Sequence, residues 1–290
     1  MFKLGVISDE VSQDFKKVVD LAVEFKLDSI EIRSVWDKPP QELTDRDIDE
    51  MKRILDGTDL QVVCIASPFY KCDFFNPEER KQHIEILRKC IKLAKAFGAR
   101  IIRGFAFWNT GRTEEIWEDI LKAFEEPIKI IQDEGMILGI ENEASTSLAT
   151  ARLTQKFIED LNCPNVKAIW DPANEVCAEG GEKPFPDAYN RLKPYMIHGH
   201  IKDIKRDPQT GRPIPVPIGD GEVGWKDQLQ AFIDDGFEGH LSLETHWRPT
   251  KVLSEELLDR PGGSAFSEAG EEATRVCLER LFKIMEELRR

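Results

Sequence analysis

The sequence predicts a (β/α)8 barrel, and three observations carry the prediction. Short Val- and Ile-rich runs alternate with longer helical patterns along the chain's 290 residues. Several of the short runs are apolar nearly throughout, as strands covered on both faces are. Four later runs, MILGIENE, VKAIWDPAN, YMIHGHIKD and GHLSLETHW, each close on a polar motif. In a barrel, consecutive parallel strands bring such ends together, whereas an open doubly wound sheet spreads them along an edge.

Element by element, strands are expected at 2–7, 28–33, 61–66, 99–105, 136–141, 165–170, 195–201 and 239–244. Helices are expected near 13–26, 44–57, 77–97, 112–134, 151–160, 184–193, 225–235 and 268–288. In the third helix Ile86, Leu87, Cys90, Ile91, Leu93, Ala94 and Phe97 share one broad side, and Gly98 supplies the stop. The phrases GARII, EGMILGI and DGFEGHLSL repeat one grammar, a turn glycine followed by a buried strand. Two stretches break the rhythm. Residues 207–224 carry too much Pro and Gly for an interior element and are read as a long loop on the catalytic face; 247–267 is read as a second insertion, a lid or contact surface. The whole chain, 1–290, is expected to form one domain.

A formal net charge of −14 argues against a nucleic-acid partner. The densest basic stretch, Lys202, Lys205, Arg206 and Arg212, is interrupted by Asp203 and Asp207. No run approaches a membrane span, and the N-terminus reads as a strand followed by acidic residues rather than a leader. Six cysteines without a CxxC pair read as reduced core residues, which points to the cytoplasm. A homo-oligomer is left open.

The four polar strand ends offer Glu141, Asp171, His200 and Glu244. Singly, each is most simply a solvated residue or a helix cap. Together they are an oxygen-rich set suited to one borderline divalent ion, with room left for substrate oxygens. Such an ion polarises a carbonyl and supports an enediolate, and Glu141 and Glu244, coming from the fifth and eighth strands, are the candidates for moving a carbon-bound proton. Glu143 is the substitute ligand. His198 is expected one layer below His200, as a packed, hydrogen-bonded barrel histidine or as a support for the ligands, and Asp203, which closes the same strand, as a further support. Lys202, Asn174, Arg206, His246, Trp247 and Trp108 are the candidate substrate contacts; Trp36, Phe69 and Phe107 are candidate walls, and Glu10 a further polar contact. Pocket wall and packed core compete for each aromatic.

These motifs, GIENE, WDPAN, HGHIKD and SLETH, with PIGDGEVGW after the seventh strand, resemble the xylose-isomerase-like TIM-barrel superfamily, nearest its sugar phosphate isomerase/epimerase branch and the ketose 3-epimerases. The resemblance implies a metal-dependent isomerase or epimerase in which Glu141, Asp171, His200 and Glu244 hold one ion, Mn²⁺ first and Mg²⁺, Co²⁺ or Zn²⁺ otherwise. It makes the two glutamates the proton-transfer pair and Arg206 a substrate contact. The chain departs from the epimerases at Asn174, where they carry histidine, and at Ser147, where they carry a second glutamate. A keto-polyol dehydratase or lyase, or a sugar-binding barrel without catalysis, are the alternatives. The superfamily's abasic-site endonucleases use three zinc ions and a histidine-rich ligand set; five histidines, with His83 and His240 outside the motifs, argue against that activity.

Overall fold

A computed structural model describes residues 2–288. Seven parallel strands come first: β1 (Lys3–Ile7), β2 (Ser29–Ile32), β3 (Gln61–Phe69), β4 (Ile101–Gly104), β5 (Ile137–Glu141), β6 (Val166–Trp170) and β7 (Met196–Ile201). β8 (Asp203–Arg206) and β9 (Pro213–Val216) form a separate antiparallel ribbon, and β10 (His240–Leu243) closes the barrel in the order β1-β10-β7-β6-β5-β4-β3-β2. The strands are apolar because the interior packs one face and the helices cover the other. Trp170 shows the outward packing: it is fully buried, and its Nε1 donates to Gln228 Oε1 of the covering helix at 2.7 Å.

The helices start and stop where local chemistry dictates. Thr44 and Asp47 form a reciprocal cap on the helix Asp45–Leu55. Asn76 caps Pro77–Phe97, with Pro77 at its first position, and Gly98 ends it at φ 73°. Its buried side is Ile84, Leu87, Cys90, Ile91, Leu93 and Ala94, while Ile86 and Phe97 are only partly covered.

Three expectations are corrected. The stretch 112–134 is two helices, Trp117–Ala123 and Glu125–Asp133, because Pro127 lacks an N–H and its ring crowds the carbonyl four residues back. The stretch 184–193 keeps only a short regular helix, Tyr189–Leu192, after a turn holding Pro184 and Pro186. Residues 207–224 are not all loop: Pro213 and Pro215 lie in β9, paired with Arg206 and Ile204 of β8. Alternate prolines are tolerated there because the ribbon has only two strands, and the intervening Ile214 and Val216 keep their N–H groups. The insertion 247–267 holds two short helices, Glu255–Asp259 and Gly263–Ser267.

No helix among the described residues is long and apolar enough to cross a membrane. All six cysteines are unpaired, five of them buried.

Candidate metal centre

Glu141 is the last residue of β5, Asp171 follows β6, His200 lies in β7, and Glu244 follows β10. Register lines them up: His200 is opposite Ser242, and Ile201 opposite Leu243, which puts Glu244 one step further out. One donor atom from each of the four lies within 4.8 Å of the others, and all four residues are buried.

Asp171 divides its two oxygens between two tasks. Oδ1 accepts from Ala173 N at 2.8 Å and Asn174 N at 3.0 Å, capping the helix Pro172–Cys177. Oδ2 faces the cluster and accepts no hydrogen bond; Lys202 Nζ stands 2.8 Å away as an ion-pair contact outside hydrogen-bond geometry. The helix cap and the ligand, competing readings of the sequence, are therefore compatible in one side chain. Three buried carboxylates and an imidazole with donor atoms this close are a set that fits a divalent cation.

The cluster is laced with cations. Lys202 Nζ lies 3.0 Å from Glu244 Oε2. Arg33 donates to Glu244 Oε1 at 2.5 Å, to Asp9 Oδ1 at 2.8 Å and to Glu10 Oε1 at 2.8 Å. Arg103 donates to Glu141 Oε2 at 3.2 Å. Burial alone would raise the two glutamates, but the neighbouring positive charges outweigh it. His200 and Arg103 lower Glu141, and Lys202, His246 and His200 hold Glu244 well below its usual value. For Asp171 burial wins, pushing the carboxyl up to about 6 against the pull of Lys202.

Each expected residue has a definite place. His198 is fully buried below His200, with Nε2 2.8 Å from Glu31 Oε2. Asn174 Nδ2 donates to Asn142 O at 3.0 Å and Glu141 Oε1 at 3.3 Å, so it braces the Glu141 carboxylate. His246 is in the left-handed backbone region at φ 47°, with Nε2 3.3 Å from Glu10 Oε1 and 3.5 Å from Glu244 Oε1. Asp203 sits under the glycine turn and accepts from Gly219 N and Gly221 N. Lys202 lies inside the cluster rather than at its mouth. Glu143 is drawn off to Lys71 at 3.2 Å.

The open space lies to one side. A cavity of about 680 Å³ is floored by Arg33 and Arg103, walled by Lys71, Phe105 and Trp108, and roofed by residues 259–263 of the second insertion. Trp108 thus lines this cavity. Arg206 does not: its guanidinium donates to Val176 O at 2.6 Å, and it lines a separate groove with Glu175 and Glu222. Trp247 packs against the core instead of the cavity, and the 207–224 segment does not line it. The roof is latched by Ser264 on Asp37 and by Gly263 N on Ser34 Oγ at 3.2 Å.

Sequence reasoning passed over Glu31, Arg33 and Arg103. The signal was present: SIEIR and IIRGF place charged residues in or directly after apolar strands, as the four later motifs do.

The family model described as xylose isomerase-like TIM barrel matches residues 19–288. An inosose dehydratase of Klebsiella pneumoniae (strain 342) is 21% identical over 151 residues, 47% of this chain and 50% of the relative. The chain therefore aligns with about half the length of that curated relative. A xylose isomerase domain protein from Planctomyces limnophilus has TM-score 0.76 at 17% identity, covering 99% of this chain and 98% of that one. The IOLI protein solved with a zinc atom gives 0.73 at 19%, covering 99% of each. D-psicose 3-epimerase from Clostridium cellulolyticum H10, solved with D-tagatose, gives 0.69 at 17%, covering 97% of this chain and 99% of that one.

Proposed function

Because the chain belongs to the xylose isomerase-like TIM barrel family, we propose that it is a divalent-metal-dependent isomerase or epimerase acting on a ketose, a sugar phosphate or a related keto-polyol. The observation that carries the reading is the convergence of buried Glu141, Asp171, His200 and Glu244, with donor atoms within 4.8 Å of one another and Asp171 Oδ2 turned inward beside Lys202 Nζ at 2.8 Å. These four would hold the ion, Mn²⁺ as first choice, with Mg²⁺, Co²⁺ or Zn²⁺ as alternatives. When bound, it would supply Lewis-acid polarisation of the substrate carbonyl.

The chain's own groups supply the rest. One of Glu141 and Glu244 takes the proton from the carbon beside the carbonyl; the C–H electrons become the C=C bond and the carbonyl oxygen gains negative charge. Return of a proton to the opposite face of the same carbon from the other glutamate, which carries a proton at that step, inverts it; return to the neighbouring carbon, with the hydroxyl proton of the enediolate passing to the former carbonyl oxygen, exchanges aldose and ketose. Lys202, whose ammonium is held protonated by Asp171 and Glu244, offers positive charge to the developing oxyanion. The cavity of about 680 Å³ has room for a sugar of six carbons, and Phe105 and Trp108 offer an apolar wall to its carbon face. Asn174 braces Glu141.

A dehydratase is the second reading, supported by the likeness to inosose dehydratase and by the Lys202 ammonium as a proton source for a departing hydroxide. Unpaired cysteines accord with a cytoplasmic setting, and the charge of −14 with a small-molecule rather than a nucleic-acid partner.

The test is a metal-supplemented panel of ketoses, sugar phosphates and keto-polyols run in deuterated water. Deuterium at carbon beside the carbonyl, with an isomer or epimer as product, supports the first reading; a dehydrated product selects the second. Stoichiometric metal with no exchange on any member would favour a binding barrel.

A further inference from the structure

Beneath the four proposed ligands lies a second buried group, Glu31 of β2 with His198 and His200 of β7. All three are essentially inaccessible to solvent. A single oxygen, Glu31 Oε2, is 2.8 Å from His198 Nε2 and 3.2 Å from His200 Nε2. The opposite edge of His200 faces upward: Nδ1 is 3.1 Å from Glu141 Oε1 and 3.7 Å from Glu244 Oε2.

The two imidazole nitrogens are distinct, and the partner of one decides what the other presents. We propose that Glu31 is a positioning residue that takes the Nε2–H of His200 and thereby turns Nδ1 toward Glu141, Asp171 and Glu244. The inference rests on reading those residues, with His200, as the metal site.

Cost supports the assignment. An ionised carboxylate in the middle of a barrel is strongly disfavoured unless neighbouring donors and positive charges offset its desolvation. Ile30 and Ile32 flank Glu31, so an apolar residue would suit the strand equally well for packing. What the carboxylate adds is one acceptor for two imidazole N–H groups on a strand across the barrel. His198, whose Nδ1 meets no partner, is fixed by the same oxygen and by Ser242 Oγ at 3.2 Å. A carboxylate behind a ligating histidine fixes its tautomer and ring orientation, and loss of such a group typically weakens metal binding about 10–100-fold. A second ion among Glu31, His198 and His200 is the competing account: Glu31 Oε1 and His198 Nδ1 meet no hydrogen-bond partner, whereas Glu31 Oε2 already joins the two Nε2 atoms at 2.8 and 3.2 Å.

Zinc alone is the probe, in the full chain, with affinity read by chelator competition and His200 read by long-range ¹H–¹⁵N correlation of the zinc-loaded protein. The wild type is expected to bind one ion with His200 ligating through Nδ1 and protonated at Nε2. Glu31→Ala is expected to lose about 10–100-fold in affinity and the hydrogen-bonded Nε2–H signal; Glu31→Gln, which keeps one acceptor oxygen, should lose less. Ligation of wild-type zinc through Nε2, unchanged affinity in Glu31→Ala, or a second ion on Glu31 and His198 overturns the proposal. The wild-type spectrum decides even if a variant fails to fold. Absence of zinc from Asp171 and Glu244 overturns the metal reading itself and this inference with it.

Discussion

Asp203→Ala should loosen the turn that follows β8 and β9, and the structure gives the size of the effect. Asp203 Oδ2 accepts from Gly219 N at 2.9 Å and Gly221 N at 3.1 Å; Oδ1 accepts from Ile204 N at 3.1 Å and, at 3.4 Å, from Val223 N. The carboxylate is thus the hub of the PIGDGEVGW turn, and Gly221 is there because an added Cβ would come within 2.1 Å of Asp203 Oδ1 and 2.4 Å of Ile204 O. Each buried N–H left without an acceptor costs ~1–3 kcal/mol. The N–H groups of Ile204 and Val223 are buried, and those of the two glycines are partly covered and can turn to water. The sum is about 2–6 kcal/mol. Burial raises the Asp203 carboxyl above its usual range, so its removal recovers some desolvation cost, which favours the lower end. A loss of ~3 kcal/mol lowers the melting temperature by roughly 6 °C in a chain of this size. Thermal unfolding and amide exchange across 217–224 are the assays. Gly221→Ala should destabilise the same turn, and the double variant should lose less than the sum. An Asp203→Ala protein that melts like the parent, with unchanged exchange at Gly219–Val223, refutes the reasoning.

Glu141→Gln and Glu244→Gln should each nearly abolish deuterium exchange into substrate while metal occupancy, measured in the same samples, is retained in part; unaltered exchange in both metal-loaded variants would sink the two-carboxylate scheme, and loss in only one would favour a single base. Asp171→Asn keeps an oxygen to cap Pro172–Cys177 but removes the charge, so metal affinity should fall about 10-fold or more with little change in metal-free melting temperature; a large drop in stability with metal binding intact would reverse the assignment of its two oxygens. Lys202→Met leaves Asp171 and Glu244 facing each other without their shared cation, so the metal-free protein should lose about 3–5 kcal/mol and regain more than the wild type on adding metal, by denaturant titration. Burial lowers His83 and His240 to about 4 from 6.5. Below pH 6.5 the unfolded chain therefore binds protons that the folded chain does not, and their contribution to stability, complete above pH 6.5, declines as the pH falls toward 4. Denaturation midpoints at pH 7.5 and 5 should show this, and His83→Gln should flatten the decline; equal pH slopes for variant and parent would show that His83 does not carry it.

What is local in this protein was legible in its sequence. Each barrel strand falls within a residue or two of its expected ends, except β3, which runs on to Phe69. The helix stop at Gly98 follows from backbone chemistry that needs no distant partner. Glu141, Asp171, His200 and Glu244 could be picked out because parallel strands of a closed barrel all end on one rim, so a polar residue ending an apolar run has a destination before any contact is known. Glu31, Arg33 and Arg103 carried the same kind of signal. Their significance depended on partners more than 100 residues away for Glu31 with His198 and Arg33 with Glu244, and 38 away for Arg103 with Glu141.

Tertiary structure decided everything that depends on which strand faces which across the interior. The sequence fixes the period of burial, and hence the parity of each side chain along its own strand; closure and stagger of the barrel fix who meets whom. That is why Lys202 lies between Asp171 and Glu244 instead of at the mouth, why Arg206 turns to Val176, and why the cavity is roofed by residues 259–263 rather than by the glycine-rich segment. Periodicity is a property of neighbours in the chain, enforced by backbone geometry over a few residues. A site is a property of side chains brought together from far apart, and only packing of the whole barrel selects their distances and charges.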